Sequence, residues 1–361
     1  MASKQFPISV HDVTAGWLTR SLREAGVIDK ASVTSFEFEL IGEGVGLMCL
    51  LHRIDLTYDR YDDELPASLV LKTAVTQEQT RLVARTFQFY GKEVQFYRTA
   101  ANSSPMETPQ CMVAEHDPNT DEFVLLLEDL SHCETFNQLD GCPPDIAEIS
   151  LTALARHHAA FWQHDAFQDR LAWLPYGWDA PIPEAIQEGV AAGLPEFLSG
   201  FGERFDDRIR LLCERLPEAI RELMYFPESP LTFVHGDFHI GNLFFKDREV
   251  VAFDWQFPMR TVGAYDLAYF ISQNLTVPDR RAHEERLISL YRSTLTNAGV
   301  DYPLDQLMED YRQVLLICLM PQILAGGGME LVNDKAVQLV VDRLDRVVAA
   351  IDDHDAGELM P

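Results

Sequence analysis

Between Leu231 and Phe257 the second half of the chain, elsewhere patterned for helix, breaks into two short apolar runs, Leu-Thr-Phe-Val and Val-Val-Ala-Phe, around polar clusters. Runs this short suit strands bearing loops rather than helices. On either side, residues 146–166, roughly 183–225, 263–275, 280–298 and 304–352 carry apolar residues at helical intervals. The first part of the chain is mixed. Residues 10–30 are patterned as a helix, Ser35 to Tyr58 alternate as strands around a glycine cluster, and Ser68 to Thr73 form a short apolar strand. Residues 77–101 read as helix, and Glu122 to Leu130 as another strand running into acidic residues. At 361 residues the chain exceeds what one core usually supports, so two packed units sharing a cleft are expected. No internal repeat or low-complexity tract intervenes, and linker-like disorder is expected only after about Asp352.

Charge narrows the function. The chain has 57 acidic against 29 basic residues, a formal net charge of -28, and such a field repels a phosphate backbone, so nucleic acid is excluded as a partner. The acidic surface serves solubility or helps to attract a cationic substrate. No segment reaches the roughly 18 apolar residues that a membrane span needs, and the N-terminus lacks a signal-peptide core. A cytoplasmic location without membrane partners is expected. Six cysteines without paired short spacings argue against a disulfide framework or a zinc site and are read as reduced thiols.

The stretch His235-Gly-Asp-Phe-His-Ile-Gly-Asn-Leu-Phe-Phe245, followed by Val250-Val-Ala-Phe-Asp-Trp-Gln256, carries the chemistry. Phosphoryl transfer needs one carboxylate to orient the attacking hydroxyl and accept its proton, and oxygen ligands to hold magnesium against the phosphates. Asp237 suits the first role. Asn242 and Asp254 supply a neutral and a charged oxygen if a tight loop and a short hairpin fold them together. Each residue alone would suit a turn, where Asp and Asn abound; the joint spacing is far more specific.

At these positions the chain resembles the aminoglycoside phosphotransferase and choline kinase superfamily, whose loop reads HGDxxxxN with a downstream Asp-Trp or Asp-Phe. The Asp-Trp-Gln ending, the Leu127-Glu-Asp-Leu130 strand and the helix from Phe89 to Tyr97 are closest to its ecdysteroid-kinase-like branch. The motifs cover about residues 38–275. The resemblance implies an α+β, bilobal protein-kinase-like fold. A small N-terminal nucleotide-binding lobe with an antiparallel sheet would span residues 1–130, with a hinge at about 126–131. A larger, mainly helical lobe for catalysis and substrate binding would span 131–361. It also implies Asp237 as the catalytic aspartate and Asn242 and Asp254 as Mg2+ ligands. His235 would support loop geometry, and His239 is equally open to phosphate or substrate contact and to a structural role. Asp266, in Gly263-Ala-Tyr-Asp-Leu-Ala268, would hydrogen-bond the loop, with His158 a core histidine beneath it.

Gly42, Gly44 and Gly46 lie between two strands, where absent side chains let backbone approach a phosphate. Alone they suit a hairpin turn; the resemblance makes them the nucleotide loop. It likewise pairs Lys72, costly to bury unpaired, with Glu93, to hold the α and β phosphates of ATP. Glu128 and Leu130 fall at the hinge, where main-chain groups grip adenine. Trp162, Trp173, Tyr176, Trp178 and Trp255 suit core packing or an aromatic acceptor pocket. The reading is therefore an ATP- and Mg2+-dependent kinase acting on a hydroxyl of an organic acceptor such as an aminoglycoside, choline-like amine, macrolide or steroid. Its rivals are a kinase-fold nucleotide binder that transfers nothing and a kinase of protein hydroxyls. The latter is disfavoured by the absence of an Ala-Pro-Glu element.

Overall fold

The computed structural model describes residues 6–42, 48–328 and 334–361. The chain divides into two compact units, Met1–Asn102 with Glu107–Cys133, and Ser103–Met106 with Glu134–Pro361.

The first unit runs α1 (Ala15–Glu24), β1 (Val33–Ile41), β2 (Cys49–Tyr58), β3 (Ser68–Ala74), α2 (Glu78–Phe87), α3 (Phe89–Thr99), β4 (Cys111–Asp117) and β5 (Glu122–Glu128). Its strands form one antiparallel sheet in the order β1-β2-β3-β5-β4. Thr14 starts α1 by accepting the Trp17 N–H at 3.1 Å, a side-chain N-cap. The apolar stripe of α1, Leu18 and Leu22, then packs on Ile54, Leu69, Leu71, Val124 and Leu126. Each fully buried leucine of this layer contributes roughly 1.5–3 kcal/mol. Side chains alternate along a strand, so the residues between these point to the other face, where Tyr90 of α3 stacks on Phe123 with centroids 4.2 Å apart.

The stretch 77–101, one helix by its periodicity, is two: Gln88 adopts a left-handed backbone, φ 56°, and turns the chain between α2 and α3. Strand β4 escapes sequence pattern because every one of its residues is half-buried, which removes the period-2 contrast.

The second unit comprises α4 (Pro144–Ala160), α5 (Ile182–Phe201), α6 (Asp207–Leu223), β6 (Leu231–Val234), β7 (Leu243–Lys246), β8 (Glu249–Ala252), β9 (Met259–Val262), α7 (Ala264–Asn274), α8 (Val277–Asn297), α9 (Leu304–Ile317), α10 (Leu319–Gly328) and α11 (Asp334–Asp353). Strand β6 pairs with β9, and β7 with β8, both antiparallel. A buried polar knot ties three of the helices. Arg280 of α8 donates to Glu284 at 2.6 Å and to Asp353 of α11, while Tyr311 of α9 donates to Glu284 at 2.7 Å.

The tail after Asp352 departs from the expected disorder. Ala356 and Met360 are buried, and the Arg312 guanidinium donates to the carbonyls of His354 and Asp355 at 2.8 and 2.9 Å. Two alternating apolar anchors and one arginine are too sparse a pattern to register as structure in the sequence. No helix among the described residues is long and apolar enough to cross a membrane.

Candidate active site

Strand β6 delivers the polar stretch into a loop, and the first step of that loop fixes the rest. Gly236 has φ +83°, and a Cβ there would lie 2.0 Å from the Phe257 carbonyl oxygen, so glycine is required on both conformational and steric grounds. The His235 and Gly236 N–H groups both donate to Asp266, at 2.7 and 2.9 Å. Asp266 is itself fully buried, and His158 Nε2 adds a third partner at 3.2 Å, while its Nδ1 faces the Tyr291 hydroxyl at 2.7 Å. A buried carboxylate requires such donors.

Asp266 is one residue of a helix face. From it, positions i+3, i+4 and i+8 of α7 are Tyr269, Phe270 and Asn274, and each holds a successive part of the loop. Tyr269 donates its hydroxyl to Asp237 Oδ1 at 2.7 Å. Phe270 packs on Phe238, centroids 5.4 Å apart. Asn274 accepts the Ile240 N–H at 3.0 Å. The loop is thus read off in register along two turns of α7.

The hairpin β7–β8 closes the site from the other side. Asn242 directs its amide nitrogen to the Asp237 carbonyl at 3.0 Å and to Asp237 Oδ2 at 3.3 Å. These donations set the orientation of the Asn242 amide and occupy its nitrogen, so its own Oδ1 is the atom available to a cation. The Phe253 N–H donates to the Asn242 carbonyl at 3.1 Å, and the Phe253 carbonyl accepts His235 Nε2–H at 2.9 Å. Both backbone polar groups of Phe253 are therefore stitched to the loop immediately before Asp254. Asp254 has φ +63°, a left-handed conformation that is uncommon for a residue with a side chain and concentrates at functional sites. Asp237, Asn242 and Asp254 are thereby gathered in one neighbourhood. Among the described residues no group of three His, Cys, Asp or Glu side chains could form a metal cage. The donor set is an amide oxygen and a carboxylate, which suits a hard cation completing its shell with phosphate and water oxygens.

Burial would push the Asp237 carboxyl up, but His239, Tyr269 and Arg343 outweigh it and hold the acid well below the usual carboxylate range. The side chain is still 40% exposed, so its carboxylate is open to a reacting group. His239 caps the turn that follows, its Nδ1 accepting the Gly241 N–H at 3.1 Å, and its Nε2 lies 3.5 Å from Asp237 Oδ2. For the fully buried His235, burial dominates and pushes the imidazole below its ordinary value, so it serves as a neutral bridge. Its Nδ1 accepts the Asp237 N–H at 3.3 Å.

In the first unit, Lys72 sits on β3 between Leu71 and Thr73, facing away from the α1 layer. There α3 presents Glu93, and Lys72 Nζ lies 2.8 Å from its Oε1, with side chains 4% and 1% exposed. The end of the glycine segment is pinned by Tyr90, whose hydroxyl donates to the Met48 carbonyl at 2.7 Å. Gly42 has φ +70°; Gly44 and Gly46 lie outside the described residues. At the end of β5 the Glu128 N–H donates to the Gln110 carbonyl at 2.9 Å, and the Leu130 carbonyl accepts from Cys133 at 2.9 Å. Asp129 between them fastens the segment to the sheet, with Ser68 at 2.6 Å and Arg53 at 3.0 Å.

Tyr269, Asn274 and Arg343 are absent from the sequence expectations, and Asp129 enters them only as part of the hinge stretch, without its partners. The first two carried a usable signal, their helical spacing from Asp266. Arg343 carries none, and the partners of Asp129 carry none, since these contacts are distant in the chain.

The profile of the Ecdysteroid kinase-like family matches residues 43–300. The chain belongs to the ecdysteroid kinase-like family. The matched span takes in Lys72, Glu93, the Asp237 loop, Asp254 and Asp266, while Gly42 and Arg343 lie outside it. Solved structures share the protein-kinase-like fold of this ecdysteroid kinase-like chain at low identity. Choline kinase from Cryptosporidium parvum Iowa II is 14% identical, the match covering 96% of this chain and 97% of that one with a TM-score of 0.56. Plasmodium vivax ethanolamine kinase is 12% identical over 90% and 84% of the two chains, TM-score 0.55. An amicoumacin kinase in complex with AMP-PNP and Ca2+ is 11% identical over 91% and 92%, TM-score 0.55. These three neighbours are small-molecule kinases. No curated protein matches the sequence.

Proposed function

We propose that this chain is a small-molecule kinase that transfers the γ-phosphate of ATP to a hydroxyl group of an organic acceptor. The observation that carries the reading is the gathering of Asp237, Asn242 and Asp254 by one loop and one hairpin, with the Asp237 carboxylate accessible. Asp237 orients the acceptor O–H and takes its proton as the oxygen bonds to the γ-phosphorus. The bond from that phosphorus to the bridging oxygen of ADP breaks, giving a phosphate monoester and ADP, and the proton is then released from Asp237. Magnesium, held by Asn242 Oδ1 and the Asp254 carboxylate, would neutralise charge on the phosphates. The lowered pKa of Asp237 keeps it ionised at neutral pH, so it acts through orientation more than through strong basicity.

The first unit supplies nucleotide contacts in this reading. Lys72, held by Glu93, meets the α and β phosphates, and Gly42, Gly44 and Gly46 bring backbone N–H groups to them. The purine edge meets main-chain groups of Glu128 and Leu130 in this reading, where the Glu128 N–H is held by the Gln110 carbonyl and the Leu130 carbonyl by the Cys133 N–H. Six cysteines without disulfide partners suit a reducing, cytoplasmic compartment.

The acceptor is a small alcohol, and the ecdysteroid kinase-like membership favours a hydrophobic one such as a steroid. The test is ADP release from Mg-ATP across a panel of steroids, amino alcohols, aminoglycosides and macrolides, with acceptor-free ATPase as the blank. At least one member should raise ADP release above the blank and acquire phosphate. Tight Mg-ATP binding with no acceptor stimulated and no ATP turned over would favour the non-transferring nucleotide binder.

A further inference from the structure

The hydroxyl of Tyr269 touches the Asp237 carboxylate, and Tyr269 is in turn gripped from a third element. Arg343 of α11 donates to the Tyr269 oxygen at 3.2 Å and through Nε to Gln273 Oε1 at 2.8 Å. Gln322 of α10 donates to the same Gln273 oxygen at 3.0 Å. One turn further along α11, Arg346 donates to the Gln273 and Gln138 carbonyls, both at 3.0 Å. The guanidinium of Arg343 therefore takes the Tyr269 oxygen as its acceptor. That leaves the phenol proton one direction to point, toward Asp237 Oδ1.

We propose that Tyr269, set by Arg343, is a positioning residue for the transfer reaction: it fixes the rotamer of the Asp237 carboxylate so that Oδ2 faces the acceptor hydroxyl. This rests on the kinase reading above and deepens it. A carboxylate with three partners at distinct angles, Tyr269 at Oδ1 and the Asn242 amide and His239 imidazole at Oδ2, has its plane defined. Remove the shortest of these, the 2.7 Å bond from Tyr269, and the carboxylate is left on contacts of 3.3 and 3.5 Å, both on the same oxygen. It can then rotate about its Cβ–Cγ bond. Misplacement of a reacting group by about 1 Å costs turnover up to about 100-fold without weakening substrate binding. The arrangement also links the chemistry to α11, which reaches the Asp237 carboxylate through the Arg343–Tyr269 contact.

The test combines two readouts, one of which needs no transfer activity. The first is a double-mutant cycle on urea denaturation midpoints with Tyr269→Phe and Asp237→Ala. Tyr269→Phe should lower the midpoint of the parent protein clearly more than that of Asp237→Ala, where only the Arg343 bond to the phenol remains to be lost; equal shifts in both backgrounds would overturn the proposal. The second is ADP release from Mg-ATP with water as the acceptor. Tyr269→Phe should lower kcat by about 10- to 100-fold with KM for Mg-ATP within about twofold. Arg343→Met should follow it, and Arg343→Lys should recover part of the loss. A coupled cycle with unchanged kcat would also overturn the positioning role. If neither water nor any acceptor of the panel draws ADP from Mg-ATP with the parent protein, the kinase reading falls, and the cycle alone decides whether Tyr269 holds the carboxylate; if an acceptor does, kcat is compared with that acceptor.

Discussion

Glycine at 236 and lysine at 72 show how much a single residue settles here. Gly236 allows β6 to turn directly into the Asp237 loop against the Phe257 carbonyl, and any side chain must displace backbone. Gly236→Ala is expected to destabilise the protein by about 2 kcal/mol or more, read from urea denaturation, since left-handed backbone alone costs an alanine about 1–2 kcal/mol. An unchanged midpoint would show that the loop takes another path. For Lys72 the consequence is twofold. Lys72→Met leaves Glu93 charged and buried, which should cost about 3 kcal/mol of stability. It should also weaken Mg-ATP binding in calorimetry. A stability loss with undiminished nucleotide affinity would keep the ion pair as structure and remove it from the nucleotide site.

Helix α7 is the element on which the site depends, because its one face carries Asp266, Tyr269, Phe270 and Asn274 at helical spacing. The Asn274 side chain joins the loop to the 138–142 segment, accepting from Ile240 at 3.0 Å and from Gln138 at 3.3 Å. Asn274→Ala leaves the buried Ile240 N–H unsatisfied, at an expected cost of about 1–3 kcal/mol, again measurable by denaturation. Much of this arrangement was legible in the sequence. Short apolar flanks marked β6 and β8, and loop spacing marked Asp237, Asn242 and Asp254. The α7 face was legible too, yet only Asp266 was taken from it, although i+3, i+4 and i+8 from that residue name the others. Strand β4 and the Gln88 break were not legible, since uniform half-burial and a single left-handed residue leave no periodic trace. Arg343 lies 74 residues from Tyr269, and no local pattern encodes such a meeting.

For the molecule as a whole, the mixed first part and helical second part of the sequence correspond to an antiparallel sheet with helices and a helical unit with two small strand pairs. The helical unit is held by polar knots as well as by its core. Burial would raise the Glu284 carboxyl, but His354, Tyr311 and Arg280 outweigh it and hold it below its ordinary value. A depressed acid contributes stability that is present above its unfolded value, near 4.3, and lost as pH falls through the folded one. Glu284→Gln should therefore destabilise the protein by about 3 kcal/mol at pH 7, and the gap to the parent should narrow below about pH 4. A gap independent of pH would assign the loss to packing.

In the proposed reaction Asp237 acts on a reacting hydroxyl beside a separately held metal nucleotide. The most direct measurement is paired on one variant, Asp237→Ala: Mg-ATP affinity by calorimetry, and ADP release with an acceptor that the parent protein phosphorylates. Turnover should fall by roughly two to four orders of magnitude while affinity stays within about threefold. Turnover equal to that of the parent, or affinity lost together with turnover, would contradict the claim.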